Sequence, residues 1–133
     1  MKVTVDTNVL VRAAVRDDIV QANIAAKVLT DAKLIAIPLP CLCEFVWVLL
    51  SVYKFQPSDI IEAINALLAS ANVEMNRQAV EAGLLVFKAG GDFADGVIAY
   101  EGKWLGGETF VSFDKKAVEL LTAQGHRARL LSR

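Results

Sequence analysis

Very little in this chain could cross-link or anchor it. Its 133 residues hold two cysteines, Cys41 and Cys43, too few for a disulfide framework or a zinc site. They read as small buried thiols in a reducing cytoplasm. The longest apolar stretch, Leu34 to Tyr53, has the length of a membrane span. It is interrupted by Pro38, Pro40 and Glu44 and lacks flanking clusters of Lys or Arg, so a strand, turn and helix in a globular core fit it better. No membrane association is expected. No cleavable leader is expected either, because Lys2 to Val5 already reads as strand. Net charge is only −1, so global charge does not announce a nucleic-acid binder, and any such activity must come from a local site. Linkers, low-complexity segments and internal repeats are also missing. The expectation is a cytoplasmic protein of one domain, 1–133.

Apolar residues are what the chain does have. They make up 55% of it, with a mean hydropathy of +0.44, which is high for a soluble monomer and hints at a dimer interface. The length suffices to bury roughly two-thirds of the unfolded surface. Strand and helix patterns alternate. Lys2 to Val5 reads as strand and Val9 to Val15 as a short helix. Asp17-Asp18 cap a helix to about Ala32, and Lys33 to Ile37 is a second strand. Helices follow from Pro40 to about Lys54 and from Pro57-Ser58-Asp59 onward, with Asn72 to Met75 a third strand. Asn76 starts a helix that stops at Gly90-Gly91, and Asp92 to Leu105 is another. Thr109 to Phe113 is strand, Asp114 to Gln124 helix, and His126 to Leu131 an edge strand. Such alternation implies right-handed crossovers and parallel pairing. The fold expected is a three-layer α/β/α sandwich around a mainly parallel sheet of about five short strands.

Four acids stand out against this background. Asp6 follows the first strand and Asp114 follows "TFVSF", both where ligands bind in open parallel sheets. Glu44 lies in the apolar helix "CLCEFVWVLL" and reads as buried, and Asp95 lies in "GGDFADGVIAY". A buried unpaired charge costs several kcal/mol, on the order of a small domain's stability. If the four converge, a hard divalent cation such as Mg²⁺ or Mn²⁺ is the natural compensation. Each acid also has a plainer explanation. Asp6, Asp92 and Asp114 suit helix N-caps, and Glu44 could hold a buried arginine.

Taken together, "VTVDTNVLV", the lone Glu44, "DFADGVIA" and "FVSFDKKA" resemble the PIN-domain family, and within it the VapC-type toxins of toxin–antitoxin modules. The resemblance spans the whole chain. It implies an endoribonuclease for single-stranded RNA in which Asp6, Glu44, Asp95 and Asp114 hold one or two Mg²⁺ or Mn²⁺ ions. Water activated by the metal would cut the phosphodiester, leaving a 5′-phosphate and a 3′-hydroxyl. Asn8 would orient Asp6, Ser112 would support the site through its hydroxyl, and Asp92 would stand behind the ligands. Gly96 departs from the family, where Ala is commoner. The family also implies a homodimer and a clamp for a cognate antitoxin, here on the helices around Phe45-Val46-Trp47 and Phe55 to Leu68. Trp47, Trp104 and the Ile60/Ile64/Leu68 stripe could equally be core, and for the stripe core is the simpler assignment.

RNA phosphates need cations at the rim of an acidic pocket. Arg12 and Arg16 on the first helix and Lys115 and Lys116 after Asp114 are the candidates, with the tail His126, Arg127, Arg129 and Arg133 in addition. His126 itself, beside Gly at a strand start, reads as structural and not as a general base. Competing assignments are weaker. A haloacid-dehalogenase-type phosphatase needs a second Asp where Asn8 stands, and a receiver domain needs an acidic pair and a strand Lys that are not evident. A silent PIN-like binding module and a housekeeping RNA-processing nuclease stay open.

Overall fold

The computed structural model describes residues 1–132; Arg133, expected to extend the basic tail, lies outside them. The described residues form two compact units, one of residues 1–76 and one of residues 77–132. The first contains β1 (Lys2–Thr4), α1 (Thr7–Val15), α2 (Ile19–Asp31), β2 (Leu34–Ala36), α3 (Leu39–Ser51), α4 (Pro57–Ala69) and β3 (Val73–Glu74). The second contains α5 (Arg77–Lys88), α6 (Phe93–Trp104), β4 (Phe110–Ser112), α7 (Lys115–Ala123) and β5 (Ala128–Leu130).

All strand pairing is parallel. In the first unit the order is β1-β2-β3, with Val3 opposite Ile35 and Ile35 opposite Val73. In the second, β4 pairs β5 with Val111 opposite Arg129. The α/β class and its parallel strands are those expected, and they are consistent with an α/β/α sandwich. The ladders differ from expectation in being a set of three and a set of two, one in each unit, and the strands are shorter than their β-branched runs. Strand ends in both units give way early to helix caps, because an Asp follows β1 and β4 and its carboxylate captures a backbone N–H of the next turn.

Side-chain burial follows helical periodicity. On α3, Leu42, Phe45, Val46 and Leu49 are buried, whereas Pro40, Glu44 and Trp47 emerge on the other side. Glu44 is therefore exposed, not buried as its apolar neighbours suggested. The run is apolar because its exposed side is partly apolar too, with Trp47 61% exposed. Ile60 and Ile64 of α4 are fully buried and belong to the core, while Leu68 is half-buried. Trp104 is exposed. The free apolar surface of the first unit is Trp47, Leu50 and Val52 near the end of α3, and Ile19, Val20 and Ile24 on α2. No helix among the described residues is long and apolar enough to cross a membrane.

The second unit rests on a close crossing of α5 and α6. A Cβ on Gly96 would stand 2.4 Å from the Ala82 carbonyl oxygen and 2.8 Å from Gly83 Cα. One on Gly83 would stand 2.7 Å from Phe93 Cε2. Each glycine is thus the condition for the other helix's approach, which explains Gly96 where the resembling family prefers Ala. Backbone cannot yield as a flexible side chain can. Gly96→Ala is accordingly expected to destabilise the fold by roughly 1–3 kcal/mol, despite the better helix propensity of Ala, and urea unfolding would read the loss. An unchanged midpoint would refute this account of the crossing.

Candidate active site

In the first unit the chain turns from β1 into α1 at Asp6. Its extended backbone makes it the N-cap of α1, and its carboxylate accepts the Val9 N–H at 3.2 Å. A groove of about 320 Å³ opens here, lined by Asp6, Asn8, Val9, Arg12, Gln21 and Ile24. Glu44 projects from the second turn of α3. Between the two acids sits Cys41. Burial pushes its thiol pKa up, a hydrogen bond with Thr7 opposes this, and the charges of Asp6 and Glu44 add to the rise. Both carboxylates therefore act on one point, where α1 begins beside α3. Thr7 was not singled out in the sequence, and Cys41 was read there only as a small buried thiol. Thr7 is the middle residue of "DTN", but nothing local paired it with Cys41.

The second unit gathers three acids at two helix starts. Asp92 is the N-cap of α6 and accepts the Ala94 N–H at 3.0 Å, while Asp95 N–H donates to the Asp92 carbonyl at 3.1 Å. Asp114 is the N-cap of α7, accepting the Ala117 N–H at 3.2 Å. Ser112 Oγ accepts the Asp114 N–H at 2.9 Å and holds the turn, the supporting role expected of it. Asp95 alone among the acids is half-buried. Burial first, then the charges of Asp92 and Asp114, raise its pKa. Negative charge at Asp95 is thus undercompensated by the protein itself.

The sequence placed all four acids in settings hostile to charge. Asp6, Glu44 and Asp114 are instead exposed: Asp6 and Asp114 because an N-cap at a strand end faces water, and Glu44 because it falls on the outer side of α3. Among the described residues no group of three or more His, Cys, Asp or Glu side chains is disposed to hold a metal ion. What the structure brings together is Asp6 with Glu44 in one unit, and Asp92, Asp95 and Asp114 in the other. Carboxylates are the hard oxygen donors that Mg²⁺ and Mn²⁺ prefer. The strained charge at Asp95 is what a cation would relieve, so the donor chemistry fits such an ion.

The cations are partly committed. Arg12 is paired with Asp17 at 2.7 Å and reaches the Tyr53 hydroxyl at 3.5 Å; Asp17, five residues on, was the local signal for this. Arg16, in a left-handed conformation at φ 57°, donates to Asn23 Oδ1 at 2.5 Å. Lys115 Nζ lies 3.9 Å from Glu119, and Lys116 is exposed. Burial and then Lys103 push the His126 imidazole below its usual range, consistent with a structural histidine.

Residues 3–120 match the PIN domain. No curated protein matches the chain. The chain belongs to the PIN domain family, whose members are nuclease folds that generally work with divalent metals.

The shifted Asp95 carries a pH signature. Its pKa in the folded protein lies above that of the unfolded chain, so the folded state holds the proton more tightly. Stability then falls as pH rises from the ordinary carboxylate range through the raised value. In EDTA, unfolding free energies of the wild type should decline relative to those of Asp95→Asn as pH rises above the ordinary carboxylate range of about 4. Parallel pH profiles for the two proteins would show that Asp95 is not strained.

Proposed function

We propose that this protein is a metal-dependent endoribonuclease that cleaves single-stranded RNA, acting as the toxin of a toxin–antitoxin pair of the VapBC type. The observation that carries the nuclease assignment is the gathering of Asp92 and Asp114 around the half-buried, charge-strained Asp95 in a chain of the PIN family. Asp6 and Glu44, which act together on Cys41, are the acids proposed as ligands in the first unit. When bound, Mg²⁺ or Mn²⁺ supplies Lewis acidity toward the phosphodiester and toward an attacking water.

The protein's own contribution is placement. Val9 N–H and Ala117 N–H fix the carboxylates of Asp6 and Asp114, and Ser112 fixes the turn before Asp114. Asp95, whose pKa is raised, is suited to accept a proton during attack. Asn8 lines the same groove as Asp6 and Arg12, which supports an orienting role and a cationic rim. Arg16 in the first unit, and Lys115 and Lys116 in the second, are the other cations proposed for RNA phosphates.

Exposed apolar side chains support a homodimer and a cognate antitoxin. Ile19, Val20 and Ile24 on α2, with Trp47, Leu50 and Val52 at α3, are the surface available. A cytoplasmic location agrees with RNA as substrate.

The test separates ligand from cap. Asn is as good an N-cap as Asp, so Asp6→Asn keeps the start of α1 while removing the charge. Cleavage of a mixed single-stranded RNA should require Mg²⁺ or Mn²⁺, stop with EDTA, and be lost in Asp6→Asn and Asp95→Asn at unchanged unfolding midpoints or, for Asp95→Asn, a raised one. Asp6→Ala should additionally lose about 0.5–2 kcal/mol of stability. Folded wild type that neither cuts RNA with any metal nor binds Mn²⁺ would overturn the nuclease in favour of a binding module.

A further inference from the structure

Beside the acids of the second unit lies a surface that the chemistry above does not use. Along β4, Phe110 and Ser112 are half-buried, while Val111 is 53% exposed and Phe113, the residue after the strand, is 67% exposed. The register sets Arg129 of β5 directly opposite Val111, and Arg129 is exposed as well. Phe113 is immediately followed by Asp114.

The position is a firm one. Phe113 is held on one side by the β4–β5 ladder and on the other by the capped start of α7. Its own turn is closed by the Asp114 N–H to Ser112 Oγ bond of 2.9 Å. Val111 and Phe113, two apart at the end of β4, leave neighbouring apolar side chains open to solvent.

Charge identifies the cover. Protein interface cores are depleted in charged residues, yet Phe113 is followed along the chain by Asp114, Lys115 and Lys116, and Arg129 stands opposite Val111 on the paired strand. Among the described residues neither Lys116 nor Arg129 forms an ion pair, and Lys115 has only the 3.9 Å contact with Glu119. Aromatic faces interspersed with free cations are the means by which proteins hold single-stranded nucleic acid, the ring stacking on a base and the cations tracking the backbone.

We propose that Phe113 is a nucleobase platform: it stacks on one base of single-stranded RNA, Arg129 takes a flanking phosphate, and the strand is thereby delivered to Asp114. This rests on the assignment of RNA as substrate and adds the element that selects unpaired over paired strands, since a base must be unstacked to lie on the ring. Every base has a π-face, so the position tolerates any sequence. Phe113 is a positioning residue.

The test uses the full chain in EDTA, where nothing is cut, with a single-stranded RNA oligonucleotide bearing one 2-aminopurine. Stacking quenches this base's fluorescence. Binding to wild type should quench it, and Phe113→Tyr should preserve both affinity and quench. Phe113→Leu, of similar apolar size but without a ring, and Phe113→Ala should weaken binding about 5- to 150-fold, as loss of one stacked base does, and abolish the quench. Arg129→Ala should weaken binding, flatten its salt dependence, and leave the quench intact at saturation. A Phe113→Leu protein that binds and quenches like wild type would overturn the platform while leaving the nuclease standing. So would Phe113 variants that change the sedimentation of the protein but not its RNA affinity, because the face would then be a protein contact. Wild type that binds no single-stranded RNA would refute the substrate assignment and the platform with it.

Discussion

Carboxylates set against helix N-termini are the interaction on which this structure turns. Asp6, Asp92 and Asp114 each cap a helix, α1, α6 and α7, through a bond from a backbone N–H. The positive end of the helix dipole compensates part of each negative charge. The same bonds start the helices and aim the acids. Asp95, in the first turn of α6 but not its cap, is half-buried, and its carboxyl pKa rises under burial and the charges of Asp92 and Asp114.

The rest of each unit serves that arrangement. In the second, the paired absence of side chains at Gly83 and Gly96 lets α6 lie tightly against α5, which fixes where Asp92 and Asp95 emerge. In the first, the start of α1 and the second turn of α3 bring Asp6 and Glu44 within electrostatic reach of Cys41. Arg12 is drawn toward Asp17 and Tyr53, which keeps its cation beside the groove at Asp6 without neutralising the acid.

Much of the candidate site was legible in the chain. An Asp directly after a β-branched run, and another after "TFVSF", announce a strand end and a cap together, because few other residues serve both. Ser112 was legible as support, two residues before the acid it holds. Glu44 was legible as an acid out of place, but its burial was misjudged. The signal was the apolar character of Leu42, Phe45 and Val46, and that says nothing about the side of the helix on which Glu44 itself falls. Phe113 was passed over because a Phe after a strand ordinarily packs inward, and only its exposure distinguishes it.

Local chemistry in the sequence by itself determined the α/β alternation, the helix starts and the identity of the acids. These depend on neighbours within a few residues: capping needs an Asp and the next turn's N–H, and a strand needs its β-branched run. What only the tertiary structure decided is which charges feel one another. Asp95 and Asp114 are separated by a helix, a loop and a strand, and Asp6 and Glu44 by more. Electrostatic strain depends on distance and burial in space, and neither is written in the spacing along the chain.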